Sequence, residues 1–450
     1  MTSTLSDRVR GPVYEPGDDG FAAAAAGFNL SFAPRPDLVV TATSVDDIVE
    51  AVRFARSAGM RVSVQGTGHG AEAQIDSGLL ITTGRLDHLR VDPAARVATI
   101  GAGVRWKPVV DAAAAYGLAP VTGSSPVVGA VGYLMGGGVG PLARSHGFSS
   151  DYATGFTVVT GEGNLVEADA DTNPDLFWAL RGGKFGLGVV TEMRVRLVEL
   201  TSVYGGSFFV DTPHIERMLR AWIDWTAGAD ERVTTSVQVV GFPPLPEVPE
   251  PMRGKLLLSV RFAFPGEMAE GERLVAPLRA AAPVYLDMLG ELPATELGRI
   301  HNDPADPIPA YVHGTMLDRI DQGLGTAFLD VVGPDAVDSP FFASELRHLG
   351  AATSHDVPGG SAVGGRGAGF ACAFVAARPE LFASAAPAAA ARWDSTAAPW
   401  ISEVNNANVV SQPITAERVA ACWPDDIRER LGQVRSRYDP DQVTAGWWQR

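Results

Sequence analysis

Arg61-Val62-Ser63-Val64-Gln65-Gly66-Thr67-Gly68-His69-Gly70 runs from a β-branched stretch straight into a loop with three glycines in five residues and one histidine. Without a Cβ, glycine reaches positive φ freely, and its N–H can approach an anion with no side chain in the way. A histidine inside such a loop stands beside whatever carries the anion. Taken alone, the segment is equally a glycine-rich turn with an incidental histidine, so its neighbours must decide. Upstream, Ser44-Val45-Asp46-Asp47 has the form of a helix cap. Ile48, Val49, Val52, Ala55 and Ala58 then recur at helical spacing until Gly59. The unit is therefore helix, short turn, strand, glycine loop.

Downstream, Leu79 to Thr82 and Val97 to Val104 are strand-like, Val109 to Tyr116 is helical, and a second glycine segment follows. Gly123-Ser124-Ser125-Pro126-Val127-Val128-Gly129-Ala130-Val131-Gly132-Tyr133-Leu134-Met135-Gly136-Gly137-Gly138-Val139-Gly140 holds seven glycines in eighteen residues. Each interior glycine costs a helix about 1 kcal/mol relative to alanine, so no standard helix is expected there. A linker would be polar, whereas this segment carries Val127, Val128, Val131, Leu134 and Met135, which favours a buried loop. Phe156 to Thr160 and Leu165 to Ala168 form two strands around a turn, and Asn173-Pro174 opens a short helix. A third loop, Arg181-Gly182-Gly183-Lys184-Phe185-Gly186-Leu187-Gly188, leads into a strand from Val189 to Val198. A dinucleotide-binding Rossmann site needs strand, G-x-G-x-x-G and helix in that order. Gly66 to Gly70 reads G-x-G-x-G and no long helix follows.

Composition narrows the field. At 450 residues two domains are expected. With 46% hydrophobic and 20% charged residues the chain has a globular composition. The net charge of −16 and the lack of any Lys/Arg run argue against nucleic acid or an anionic membrane as partner. Cys372 and Cys422 have no metal-like spacing, no metal site is expected, and two reduced, buried thiols are favoured over a disulfide. Met1 to Gly20 has no apolar core with a basic flank, and the run Ala22 to Ala26 is far too short to span a bilayer. A cytoplasmic location is the resulting expectation.

Past Leu200 the texture changes. Val203 to Val210 is strand-like and Ile215 to Ala227 is an amphipathic helix. Val233 to Gly241 and Lys255 to Phe264 are strands, and Glu267 to Ala281 is helical. Phe341 to Leu349 and Gly369 to Val375 fit later strands of one antiparallel sheet backed by helices, an α+β arrangement. Thr415 to Tyr438 is mainly helical, and the glycine-rich stretch Gly359 to Gly369 has the composition of a linker.

The order of the loops at Gly66 to Gly70, Ile100-Gly101-Ala102-Gly103, Gly123 to Gly140 and Leu180 to Gly186, with a closing Tyr438-Asp439-Pro440, resembles the berberine-bridge-enzyme-like branch of the vanillyl-alcohol-oxidase family. The resemblance is specific from about Pro34 to Leu200 and looser beyond. It implies a two-domain α+β fold: a PCMH-type FAD-binding domain over 34–200, a substrate domain with an antiparallel sheet backed by helices over 201–400, and a C-terminal segment, 401–450, packing back on the first. It also implies FAD as cofactor, with His69 matching the histidine that family members bond to the flavin's 8α-methyl group. Such a link raises the redox potential of the flavin in this family.

Carried over residue by residue, the resemblance assigns the pyrophosphate to Gly66, Thr67, Gly68, His69 and Gly70. Ser124, Ser125, Val128, Gly129, Val131, Gly132, Gly186 and Val190 would line the ring and adenosine portions. Ser125 stands where doubly linked relatives carry cysteine, so a single histidyl link is expected. Val128 matches a position where a small valine accompanies oxidase activity. The catalytic residue is less clear: relatives often place a tyrosine two residues before an asparagine, and here Glu403 precedes Asn405. Arg347 (as an anchor for an acidic or carbonyl group), Glu345 and His313 are the further candidates, each with a surface or hydrogen-bonding role as the alternative. After Pro440 the chain departs from the family pattern, ending in Val443, Thr444 and Ala445-Gly446-Trp447-Trp448. The implied activity is an FAD-dependent oxidase that takes a hydride from an alcohol or amine carbon of a small, secondary-metabolite-type molecule and passes electrons to oxygen, giving hydrogen peroxide. The alternatives are a dehydrogenase with another acceptor, or a flavoprotein cyclase or isomerase without net redox change.

Overall fold

A computed structural model describes residues 4–71, 73–410 and 414–444. Near the N-terminus the Ser44 side chain accepts from the Asp47 N–H, capping the helix Val45–Ala58, and Gly59 closes it at φ +65°. Asp47 also accepts from the N–H groups of Arg10 at 2.7 Å and Thr43 at 2.8 Å, so one buried carboxylate ties the arm to the helix. Beneath this helix, Leu38–Thr41, Leu79–Thr82 and Val62–Gln65 pair in parallel, with Leu79–Thr82 in the middle and Val13–Tyr14 antiparallel on the outer edge. The middle strand is buried at every position, as its unbroken apolar run requires.

A second sheet is antiparallel, in the order Leu89–Asp92, Val97–Gly101, Val189–Arg196, Ala153–Val159, Leu165–Ala168. The helices Trp106–Ala114, Ala130–Met135 and Pro174–Leu180 contribute to the core built on it. Ala130–Met135 corrects the expectation for the second glycine segment: a six-residue helix forms there with Gly132 inside it. Ala130, Val131, Leu134 and Met135 bury one side, and that burial outweighs the propensity cost of one glycine. Val419, Leu431, Val434 and Tyr438, from the C-terminal helices Ala416–Ala420 and Asp425–Tyr438, and Cys422 and Trp423, from the turn between them, pack into this same core.

The third sheet has eight antiparallel strands. Its path runs Leu286–Asp287, Ser202–Asp211, Leu256–Phe264, Thr234–Gly241, Ala343–His348, Phe370–Ala376, Tyr311–Leu317, and Gly290–Pro293 also pairs with Ser202–Asp211. Ile215–Thr226, Met268–Ala281, Gln322–Val332 and Ala385–Ala397 supply the helices of its core. Strand alternation sends Phe208, Val237, Val239, Val260, Phe262, Leu346 and Phe374 into that helical layer. Cross-strand register puts Ser207, Ser236, Arg261 and Arg347 on the opposite face. The stretch Gly359 to Gly369 is no free linker. Ala362 N–H donates to Arg181 O at 2.8 Å, and Ala362 O accepts from Trp423 Nε1 at 2.8 Å.

Candidate active site

The loop after Val62–Gln65 is held from two sides. Phe28 N–H donates to Thr67 O at 2.9 Å, and the Phe28 ring stacks on His69 at 3.7 Å between centroids. Thr67 Oγ1 accepts from Gly129 N–H at 3.3 Å and lies 2.8 Å from His69 Nδ1, so one hydroxyl joins the first and second glycine segments. His69 Nε2 is buried with no partner among the described residues. Burial, and then the Arg105 charge, pull the His69 pKa down to about 4, so the imidazole is neutral at neutral pH.

The glycines divide by what surrounds them. At Gly68, φ is +71° and an added Cβ would lie 2.5 Å from Gly27 Cα, so this glycine serves packing. At Gly66 and Gly70 an added Cβ would meet nothing nearer than 3.6 and 3.9 Å, and at Gly132 nothing within 4 Å. Among the described residues the N–H groups from Gly66 to Gly70 have no hydrogen-bond acceptor. The result is a clear strip of unused backbone donors beside a neutral histidine.

The loop carrying His301 and Asp303 connects the second glycine segment, which Thr67 joins to this strip, to the large sheet. Ser124 Oγ donates to Asp303 Oδ2 at 2.6 Å. Two residues earlier in the same loop, His301 Nε2 lies 3.0 Å from Arg347 and 3.4 Å from Glu345. Glu345 also receives Arg347 at 2.8 Å and Arg261 at 2.9 Å. Arg261 donates further to Gln238 Oε1 at 2.8 Å, and Arg347 to Val139 O, in the second glycine segment, at 3.1 Å. Burial would raise the Glu345 carboxyl, but the Arg347 and Arg261 charges overcome it and hold the group well below the usual carboxylate range. Burial, then the two arginines, lower His301. Tyr133 is fixed beside them: an added Cβ on Gly123 or Gly138 would come within 2.7 or 2.5 Å of its ring. Its hydroxyl is buried and burial raises its pKa.

The structure thus brings Glu345 and Arg347 to the glycine segments and leaves two other candidates elsewhere. Glu403 is an exposed residue in a bend, while the neighbouring Asn405 and Asn406 turn inward, donating to Gly314 O and Gly364 O at 3.4 and 3.0 Å. His313 pairs across the ladder with Phe374, on the helix-backed face, and its Nε2 lies 2.7 Å from Asp394. It is a core histidine. Ser125 and Val128 are half-buried, while the side chains of Val131 and Val190 lie in the core. Gly186 adopts φ +68° in the loop before Val189–Arg196. At the C-terminal end, Val443 O accepts from Val62 N–H at 2.8 Å and Thr444 Oγ1 from Gly188 N–H at 3.2 Å. Trp447 and Trp448 lie outside the described residues. His301, Asp303, Arg261, Tyr133 and Phe28 had no sequence signal strong enough to single them out. Among the described residues no group of three or more His, Cys, Asp or Glu side chains is placed to hold a metal ion, and no helix is long and apolar enough to cross a membrane.

Comparison with known proteins defines the class. Residues 36–169 match the FAD binding domain family model. Over 222 residues the chain is 36% identical to (R)-6-hydroxynicotine oxidase of Paenarthrobacter nicotinovorans, a match covering 48% of each protein and so about half the length of that curated relative. Two solved structures share the fold over nearly the whole chain. The BBE-like 1 protein of Physcomitrella patens has a TM-score of 0.84 at 19% identity, covering 98% of each chain. Glucooligosaccharide oxidase of Acremonium strictum, described with a 6-S-cysteinyl, 8α-N1-histidyl FAD, has a TM-score of 0.81 at 21% identity, covering 98% of this chain and 97% of that one. Fold and site together define an FAD-binding protein. The chain carries an FAD binding domain over residues 36–169 and shares its overall fold with these two proteins. The residues present fit the cofactor: unused N–H groups and side-chain-free edges suit a pyrophosphate, and His69 offers a neutral imidazole with one unpartnered nitrogen.

Proposed function

We propose that the protein is an FAD-dependent oxidase that removes a hydride from an alcohol or amine carbon of a small, secondary-metabolite-type substrate, with oxygen as the final acceptor and hydrogen peroxide as product. We further propose a single covalent link to FAD through His69, and the division into an FAD-binding part (34–200), a substrate part (201–400) and a C-terminal segment (401–450). The observation that carries the reading is the junction of the Glu345–Arg347–His301 group with the second glycine segment, at Ser124 through the Asp303 loop and at Val139, a segment that Thr67 ties to the His69 strip.

FAD, when bound, supplies the hydride acceptor. The chain's part is to bind and orient. Backbone N–H groups from Gly66 to Gly70 would hold the pyrophosphate, and Gly132 leaves room for a flat ring. Thr67 fixes the His69 ring, and its neutrality keeps a nitrogen lone pair available for the tether. Both cysteines, Cys372 and Cys422, are free and buried, and neither lies between residues 34 and 200, which leaves no thiol there for a second link. Arg347 and Glu345, locked by their mutual ion pair, would position the polar end of the substrate against the glycine segments. Glu345 is held ionised by two guanidiniums, so it serves as an orienting charge rather than a strong base.

Absorbance of the purified protein before and after acid precipitation tests the cofactor reading. A yellow pellet from wild type and a colourless one from His69→Ala are expected. Protein that contains no flavin and cannot be reconstituted with FAD would overturn it. Oxygen uptake with peroxide formation tests the oxidase assignment, and a reduced flavin inert to oxygen would make the protein a dehydrogenase instead.

A further inference from the structure

The strands on the polar face of the large sheet bring two guanidiniums to one carboxylate. Arg261 and Arg347 share one carboxylate, Glu345, at 2.9 and 2.8 Å, with side-chain exposures of only 5%, 15% and 12%. The adjacent carboxylate, Asp303, is half-buried, accepts from Ser124, and its charge also favours the Arg347 guanidinium. His301, lowered by burial and the two arginines, lies against Arg347 without adding positive charge. Ser236 sits across the ladder from both Arg261 and Arg347, is 2% exposed, and its hydroxyl has no partner among the described residues. A buried hydroxyl without a partner is unfavourable until an acceptor or donor meets it. Arginine has five N–H donors, and the bonds to Val139 O, Glu345 and His301 leave Arg347 with donors to spare. Spare guanidinium N–H groups and an unpartnered hydroxyl on one face suit a strong hydrogen-bond acceptor such as a carboxylate, arriving from the side of the glycine segments, where Val139 marks the edge.

We propose that Arg347, with the Ser236 hydroxyl beside it, anchors a carboxylate on the substrate, which narrows the substrate class to small alcohols or amines that also carry a carboxylate. The inference rests on the reading that the polar sheet face is the substrate side, and it concerns binding, so turnover is not needed to test it. The FAD-loaded protein is titrated calorimetrically with acetate, benzoate and phenylacetate, each beside its primary amide, which keeps the shape and removes the charge. At least one carboxylate binds about tenfold or more tightly than its amide. The preference disappears in Arg347→Gln, is partly kept in Arg347→Lys, and weakens about threefold in Ser236→Ala, since a neutral hydrogen bond contributes less than a charged one. No preference for any carboxylate in wild type, or a preference unchanged in Arg347→Gln with flavin content and melting curve intact, would overturn the proposal. If Arg347→Gln does not fold, the Lys and Ser236 variants decide in the same way. Absence of flavin from wild-type protein defeats the oxidase reading instead, and it is read from the spectrum before any titration begins.

Discussion

On one face of the eight-stranded sheet, Val237, Val239, Val260, Phe262, Leu346 and Phe374 sink into a helical layer. One residue along each strand, Ser236 and Arg261 are buried and Gln238, Glu345 and Arg347 half-buried on the opposite face, from which Arg347 reaches Val139 of the second glycine segment. The energetics of the two faces differ. The apolar face is stabilised by area removed from water and tolerates changes in proportion to the volume lost. The polar face is a linked set of charges and donors, in which removing one member strands another and a few donors are left unused. The comparison teaches that burial alone does not locate function in this protein. What locates it is the buried group whose partners do not quite balance.

The sharpest way to break the comparison is Glu345→Leu. It leaves Arg261 and Arg347 buried without their carboxylate, and a loss of about 3–5 kcal/mol in chemical denaturation is expected, together with loss of turnover. Phe374→Ala tests the other face. Its ring lies 5.0 Å from both Phe341 and Trp393, and the cavity should also cost about 3–5 kcal/mol, but with KM and the flavin spectrum unchanged at temperatures where the protein stays folded. The triple replacement Glu345→Leu, Arg261→Met, Arg347→Met sharpens the contrast. Removing the whole group together should restore stability to within about 1 kcal/mol of wild type, or raise it, while activity stays lost. A triple variant as unstable as Glu345→Leu would show that the ion group is structural.

Acid titration gives a smaller, shared effect. His69 and His348 are held neutral by burial, with pKa values near 4 and 3, whereas an unfolded imidazole titrates near 6.5. Between those values the unfolded chain binds more protons than the folded one, so stability rises with pH there. It is complete above about pH 6.5 and falls as the pH drops through that window. Melting temperature against pH should show this slope, and His348→Gln, on the apolar face, should flatten it. The least effect is expected from Glu403→Gln: the residue is exposed, and stability should move within about ±0.5 kcal/mol with kcat nearly unchanged. A large fall in kcat would instead give Glu403 a catalytic role.

Much of the frame was legible in the chain. The capped helix at Ser44, the strand before Gly66, the alternation in 234–241 and 256–264, and the lone histidine of the first glycine loop are local patterns, set by propensity and period within a dozen residues. The helix Ala130–Met135 was hidden because glycine content argues against helix locally while tertiary burial decides for it. The strand Tyr311–Leu317 was hidden because His313 and Gly314 interrupt its apolar pattern, and Gly314 is needed where an added Cβ would lie 2.2 Å from Val409 O. Glu403 lies in an exposed bend and His313 on the helix-backed face, positions that the sequence did not reveal, since it offers no means of telling an exposed bend from a pocket or one sheet face from the other across a long loop.

The sequence by itself determined the order of the glycine segments, the single histidine in the first of them, the absence of cysteine between residues 34 and 200, and the strand alternation that makes a two-faced sheet. Only the tertiary structure decided that the loop carrying His301 and Asp303 would bring Arg261, Glu345 and Arg347 to Ser124 and Val139. Those contacts join residues up to 208 positions apart in the chain. Contacts at such separation come from the packing of whole sheets and loops, which no local period encodes.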